Sequence, residues 1–357
     1  MTHPMLSIIK IFAPAILTFL IGIALTPLLT TYLYQYKVWK KTGGKTAMDG
    51  TAASEFNRLH GDGETKTPRM GGIIIWGSVL ITIISLSVLA HLFPQALVSQ
   101  LNFLSREQTW IPFSTLIIGS VVGFWNDVLD VQPGSRGLRL RERLLFVILL
   151  SGYLGWWMYT KLGIVVIAIP FSGPLYLGLG IIPFFIFLSF CLYASGVIDG
   201  VDGLSGGVFT SIFASYAVIA FTQQQYNLAS LCASIVGGLL AFLWFNVPPA
   251  RFYMSETGTM GLTLSLASIA LLTDTHGGGV GIAVLPIIGF LLVITVFSNV
   301  LQIASKKIFK RKLFRVAPLH HHFEAVGWSS AKVTMRYWIL SIMFAFVGVV
   351  AALVSVS

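Results

Sequence analysis

Apolar residues in this chain come in blocks rather than stripes. Runs of mostly Leu, Ile, Val, Phe, Ala and Gly recur along its length, and a segment needs roughly 20 such residues to cross the hydrocarbon of a bilayer. Ten blocks meet that description, centred near Ile21, Ile81, Ile118, Gly152, Phe187, Ala214, Gly237, Ala267, Leu291 and Phe344, several of them short or broken by glycine. Backbone that crosses lipid must satisfy its own hydrogen bonds, and a helix does so within the segment. The pattern therefore predicts an all-α polytopic membrane protein of about ten transmembrane helices, organised as a single integral membrane domain over residues 1–357. The first block, from about Ile8 to Tyr34, is too long for a signal-peptide core and is expected to be a retained span. Residues 163–178 alternate weakly around Pro and Gly and predict a small surface hairpin.

The polar positions between the blocks are sorted by sign. Lys37 to Arg69 holds seven Lys or Arg, Arg136 to Arg143 four, the connection with Arg251 one, and Lys306 to Arg336 eight. These alternate connections thus hold 20 of the 23 basic residues, the rest being Lys10, Arg106 and Lys161. Cytoplasmic connections carry such an excess, so both termini are expected outside and the basic loops inside the cell. Composition adds little beyond this: 55% apolar residues, a mean hydropathy of +0.84 and 10% charged residues are a membrane protein's balance. The net charge of +10 is a topology signal, and no basic domain is left outside the spans to bind nucleic acid. Cys191 and Cys232 lie inside apolar blocks without metal-ligand spacing and are expected to be small core residues.

Acids change the picture more. Of 13 carboxylates only Glu107 and Asp274 fall in connections assigned to the outside. Asp127, Asp130, Asp199, Asp202, Glu256 and Glu324 all fall at cytoplasmic ends of spans. A transporter is expected to carry its ionisable groups near mid-bilayer, and these spans are nearly free of them.

Four motifs collect at that face. In GFWNDVLD, Asp127 and Asp130 are three apart and share a helix face with Asn126 beside them. That arrangement suits a hard divalent cation, and equally a solvated helix end paired with Arg139 or Arg141. In GVIDGVDGLSGG, Gly196 to Gly207, two aspartates three apart sit among five glycines ahead of an apolar span. Such a run lets a ligand approach the backbone and points helix-start N–H groups at an anion. WFNVPPARFYMSETGTMG, Trp244 to Gly261, places Asn246 at a span end and Glu256 ten residues on, with Tyr253 or Phe252 available to stack on a base or to sit as interfacial aromatics. Finally VAPLHHHFEAVGW holds His320, His321 and His322 next to Lys312 and Arg315. Adjacent side chains cannot easily converge on one zinc ion. They suit contact with phosphate, or a loop held by histidine hydrogen bonds.

Carboxylates for a divalent ion, glycine-rich helix starts and basic groups for phosphates, and an aromatic for a base describe a phosphoryl-transfer site at a membrane surface. With KTPRMGG, GFWNDVLD, DGVDGLSGG, FLWFN, MSETGT, APLHHHFEAVGW and VTMRYW in this order, the chain resembles the polyprenyl-phosphate N-acetylhexosamine-1-phosphate transferases over nearly its whole length. The resemblance implies ten spans and a homodimer in the bacterial inner membrane. It further implies Mg2+-dependent transfer of phospho-MurNAc-pentapeptide from UDP-MurNAc-pentapeptide to undecaprenyl phosphate, giving lipid I and UMP for peptidoglycan synthesis. The alternatives are a sister enzyme using UDP-GlcNAc or a related sugar, and an inactive scaffold. Carried over position by position, Glu256 and Asp127 would hold the metal and diphosphate. Asp199, Asp202, Asn246, Tyr253 and Arg315 would bind substrate, Tyr253 by stacking on uracil. Asp127, Asp130 and the three histidines would make up the catalytic set.

The chain departs from the family pattern in several places. Asn126 stands for the first of two adjacent acids, Asp130 for a lysine, Glu256 for an aspartate and Gly196 for an asparagine, while Glu64 and Arg69 replace a common Lys and Thr. TPRMGG itself is closer to the GlcNAc-1-phosphate branch. Asp130 is expected to restore, one helical turn on, the charge that Asn126 removes.

Overall fold

A computed structural model describes residues 3–41, 57, 64–95, 97–135, 137–169 and 173–355. Lys45, Arg58 and Arg136 of the basic count, and the 170–172 tip of the expected hairpin, lie outside the described residues. Among the described residues there are twelve α-helices: α1 (His3–Gln35), α2 (Ile73–Leu92), α3 (Trp110–Asp130), α4 (Leu140–Lys161), α5 (Ile181–Ser195), α6 (Leu204–Thr222), α7 (Tyr226–Asn246), α8 (Ser255–Leu272), α9 (Gly281–Ile288), α10 (Phe290–Phe309), α11 (Leu319–Ala325) and α12 (Ser330–Val354). The expected hairpin is present as β1 (Val166–Ile169) and β2 (Gly173–Tyr176), antiparallel with Val166 opposite Tyr176.

Nine helical segments among the described residues are long and apolar enough to cross a membrane. They match nine of the ten expected blocks, and the chain is an all-α polytopic membrane protein. The tenth block is α8, whose 18 residues are diluted by Ser, Thr and Gly. Every residue of it except Glu256 is buried, so α8 is enclosed by protein rather than lipid and tolerates polar side chains that a lipid-facing helix would not. The block near Leu291 is divided at Gly289 into the short α9 and the longer α10.

Helices pack around α8 and α7 through small residues. A Cβ on Gly123 would lie 2.0 Å from the Glu256 carbonyl oxygen, and one on Gly237 would lie 2.2 Å from that of Ala15. These approaches press α3 onto α8 and α1 onto α7, backbone against backbone. Without a hydrophobic force between helices in lipid, such close contact and interhelical hydrogen bonds hold the bundle. One such bond runs from Thr18 Oγ1 on α1 to Thr82 Oγ1 on α2 at 2.9 Å. The outcome for the site is that the first turn of α8 is pinned between α3 and the chain on either side of the 196–203 turn.

Candidate active site at the N-terminal end of helix α8

A helix begins with N–H groups that have no partner inside it, and these attract negative charge. At α8 that role falls to carboxylates from two other elements. Asp199 Oδ2 accepts the Ser255 N–H at 2.8 Å, and Asp127 Oδ2 accepts the Thr257 N–H at 2.9 Å and the Thr257 hydroxyl at 2.6 Å. Ser255 has a left-handed φ of +59°, which turns the chain into the helix and brings Glu256 alongside. Glu256 in turn accepts from Arg143 of α4 and from the Tyr193 hydroxyl of α5 at 3.4 Å. Three carboxylates expected to act together are thus drawn to one helical turn.

Asp130 is placed differently. Its carboxylate pairs with Arg69 and lies 3.9 Å from Lys40, whose Nζ is also 3.8 Å from Glu64. Asn126 is occupied too: its carbonyl accepts the Leu138 N–H at 3.0 Å and its amide donates to Asp127 Oδ1 at 3.3 Å. Asp130 thus places its charge against Arg69 and Lys40, one helical turn on from Asn126. It binds Arg69, which precedes α2 and reaches the end of α3. Arg69 there sits within reach of Asp127, Asp130, Glu64 and Asp199. Burial works against its charge, but the acids outweigh this and hold its pKa above the ordinary arginine value.

The glycine-rich turn is tied from three sides. Asp199 Oδ1 accepts the Ser205 hydroxyl at 2.7 Å, Asp202 Oδ2 accepts the Ala250 N–H at 2.9 Å, and the Thr334 hydroxyl donates to the Asp202 carbonyl at 2.7 Å. Gly203, with φ of +75°, donates its N–H to Asn246 Oδ1 at 3.0 Å, while Trp338 Nε1 donates to its carbonyl at 3.0 Å. The Asn246 amide also donates to the Phe252 carbonyl at 2.8 Å and is 2% exposed. Expected to bind substrate, Asn246 instead joins two loops, with both ends of its amide turned inward.

All three histidines lie on α11. His321 and His320 are buried and meet the Asp199–Asp202 turn at Gly200, where a Cβ would fall 2.6 Å from His321 Nε2 and 2.8 Å from His320 Nε2. His321 Nδ1 is 2.8 Å from Glu324 Oε2, and Ser330 donates to Glu324 Oε1 at 2.7 Å. His320 is stacked edgewise between His321 and Tyr337. His322 faces outward, accepting the Arg315 N–H at 3.3 Å through Nδ1, and burial followed by the Arg315 charge lowers its pKa below the ordinary histidine value. Arg315 donates to the Ala325 carbonyl at 3.0 Å and so closes the end of α11.

Tyr253 belongs to the first-loop side. Its N–H donates to the Pro68 carbonyl at 2.8 Å and its carbonyl accepts the Gly71 N–H at 2.8 Å. Its phenol, bonded to Thr67, is pushed above the ordinary tyrosine value by burial. Among the described residues no three His, Cys, Asp or Glu side chains are close enough to hold a metal by themselves. Arg69, Arg143 and Glu324 lie at the site although the motifs gave them no role there. A basic residue in a basic loop carries no local mark, and the signal for Glu324 was its spacing of three from His321 on one helix.

The fold is that of a polytopic membrane protein with acids, basic groups and histidines gathered at the N-terminal end of α8. Residues 109–274 match the family model described as glycosyl transferase family 4. Phospho-N-acetylmuramoyl-pentapeptide-transferase of Geobacillus sp. (strain WCH70) is 31% identical over 94% of this chain and 95% of its own length. Proteins of the same description from Enterococcus faecalis, 30% identical over 92% of this chain and 94% of theirs, and Rubrobacter xylanophilus, 32% identical over 79% and 82%, are also similar. The chain belongs to this family of membrane glycosyl-1-phosphate transferases.

Proposed function

We propose that the chain transfers phospho-MurNAc-pentapeptide from UDP-MurNAc-pentapeptide to undecaprenyl phosphate, releasing UMP and making lipid I for peptidoglycan synthesis at a bacterial inner membrane. The observation that carries this is the gathering of Asp127, Asp199 and Glu256 around the first turn of α8, ringed by Arg69 and Arg143, with His321 across the Gly200 turn. A phosphate oxygen of the lipid attacks the sugar-linked phosphorus, and the bond from that phosphorus to the oxygen of UMP breaks. A phosphate monoester is largely ionised at neutral pH, so no residue is required to take a proton from it. The chain's residues position the reactants and balance charge.

Glu256 and Asp127 are the residues that would hold Mg2+. Their donor set fits: one or two carboxylate oxygens, which suit Mg2+ when substrate phosphates and water complete its shell. When bound, the ion supplies neutralisation of charge on the diphosphate. Tyr253 offers a face for uracil.

Purified protein incubated with labelled UDP-MurNAc-pentapeptide or UDP-GlcNAc, undecaprenyl phosphate and Mg2+ is expected to give labelled lipid from the first donor and none when the metal is chelated. Label from UDP-GlcNAc alone would assign the sister activity, and label from neither donor would favour the scaffold. Sidedness is tested in intact cells with Cys191 replaced. A cysteine at the exposed Gln132, at the site end, should be shielded from an impermeant thiol reagent, and one at the exposed Thr222, at the far end, should react. The reverse pattern would invert the orientation.

A further inference from the structure

Arg69 lies at the centre of the acids, and the manner in which its loop is held points to a ligand. Residues 67–72 are fastened to 253–254: Tyr253 N–H to Pro68 O at 2.8 Å, Gly71 N–H to Tyr253 O at 2.8 Å, and Gly72 N–H to Met254 O at 3.2 Å. On the other side, the Arg69 N–H donates to Val38 O at 2.8 Å. Met70 adds a left-handed bend at φ +69°. Arg69 and Tyr253 are therefore two positions of one rigid unit.

The guanidinium has N–H groups beyond those its one carboxylate partner can accept. It pairs with Asp130, yet its side chain keeps 21% of its surface exposed. A guanidinium carries five N–H donors in a planar fork that matches phosphate oxygens, so one carboxylate does not saturate it. The nearby Asp127 and Asp199 already accept hydrogen bonds from the start of α8. An anion entering among Asp127, Asp130, Asp199 and Glu64 needs a cation already in place. Arg143 is taken up by Glu256 on the far side of that turn. Arg69 is the cation that borders acids from both α3 and the glycine-rich turn.

We propose that Arg69 is a phosphate-binding residue for the nucleoside diphosphate substrate, presented beside Tyr253 so that base and diphosphate are read by one clamped pair of segments, with Asp130, itself near Lys40, holding the guanidinium in position. This rests on the nucleotide-sugar reading above. Nothing in the motif reading assigned Arg69 a role, and here it brings the positive charge to the end of α3, where residue 130 is an acid.

The test is calorimetric binding to the full-length protein in detergent, with UDP, uridine and undecaprenyl phosphate as separate probes in Mg2+. Arg69→Ala is expected to weaken UDP by about 10- to 100-fold and leave uridine unchanged, because a charge-assisted contact to phosphate is lost while the base contact stays. Millimolar guanidinium should restore part of the UDP affinity. Arg69→Lys keeps the charge without the fork and should fall between wild type and Arg69→Ala, which guards against a folding defect in the alanine variant. Equal losses for UDP and uridine, or no loss for either, would overturn the proposal. Loss confined to undecaprenyl phosphate would overturn it as well, placing the phosphate of Arg69 on the lipid. Wild-type protein that binds neither UDP nor uridine would overturn the nucleotide reading and this proposal with it.

Discussion

The two ends of α8 present the same device put to different uses. At the C-terminal end Asp274 is wholly buried, accepting the N–H of Ala168 at 2.6 Å and of Ile282 at 3.0 Å. The last carbonyls of the helix are capped by amides there, Gln225 Nε2 on Leu272 at 3.0 Å and Gln223 Nε2 on Thr273 at 2.8 Å. At the N-terminal end Asp127 and Asp199 also accept backbone N–H groups, but beside them Glu256, Arg69 and Arg143 keep between 21% and 25% of their side chains exposed. Hydrogen bonds to a carboxylate do not by themselves separate a strut from a site. What separates them is whether charges of both signs remain reachable from water once the hydrogen bonds are made.

The largest test of that distinction exchanges the two aspartates. Asp127→Ala should lower turnover roughly 1000-fold, since it removes negative charge where the diphosphate and metal would be held. Asp274→Ala should leave turnover of the folded protein within about threefold but cost about 1–2 kcal/mol of stability, because two part-buried N–H groups lose their acceptor. Equal effects on activity at the two ends would erase the comparison. Next, His321→Ala should slow turnover by roughly 100-fold, and Glu324→Gln, which weakens the carboxylate that orients the ring, by roughly 10-fold. Full activity in purified His321→Ala would make the triplet structural.

Glycine substitutions probe the same contrast through space rather than charge. Gly200→Ala would push against His321 and His320 and should reduce kcat/KM roughly 10- to 100-fold by displacing them. Gly278→Ala at the far end meets no atom within 4 Å and should cost only about 1–2 kcal/mol from its φ of +70°, with activity unchanged. The smallest effect concerns pH. Because the folded-state pKa of His322 lies below its unfolded value near 6.5, the unfolded chain binds the extra proton first. The contribution to stability is complete above that value and is lost as pH falls through it. His322→Gln should flatten the thermal midpoint between about pH 7 and 5, measured against wild type. An unchanged slope would place the sensitivity at another group.

Much of this is legible in the sequence. The blocks of apolar residues marked the helices, and the alternation around Pro170 and Gly173 marked the hairpin. The acids and histidines were marked as belonging to one face, and Asp127, Asp199, Glu256 and His321 do come together. Asn246 and Asp130 show where such reading stops. Both were picked out as polar residues at span ends, which is correct, but their partners lie at Gly203 and Arg69, 43 and 61 positions away in the chain.

The sequence by itself determined which segments are long and apolar enough to cross a membrane, because transfer of a segment into hydrocarbon depends on the sum of its own side chains. It determined as well that polar chemistry would gather at one end, since charges are excluded from the spans between. Only the tertiary structure decided which carboxylate would cap α8, which would take Arg69, and which asparagine would become a strut. Those outcomes depend on hydrogen bonds and ion pairs between segments far apart in the chain, and their strength is set by distance and burial, which no stretch of sequence carries on its own.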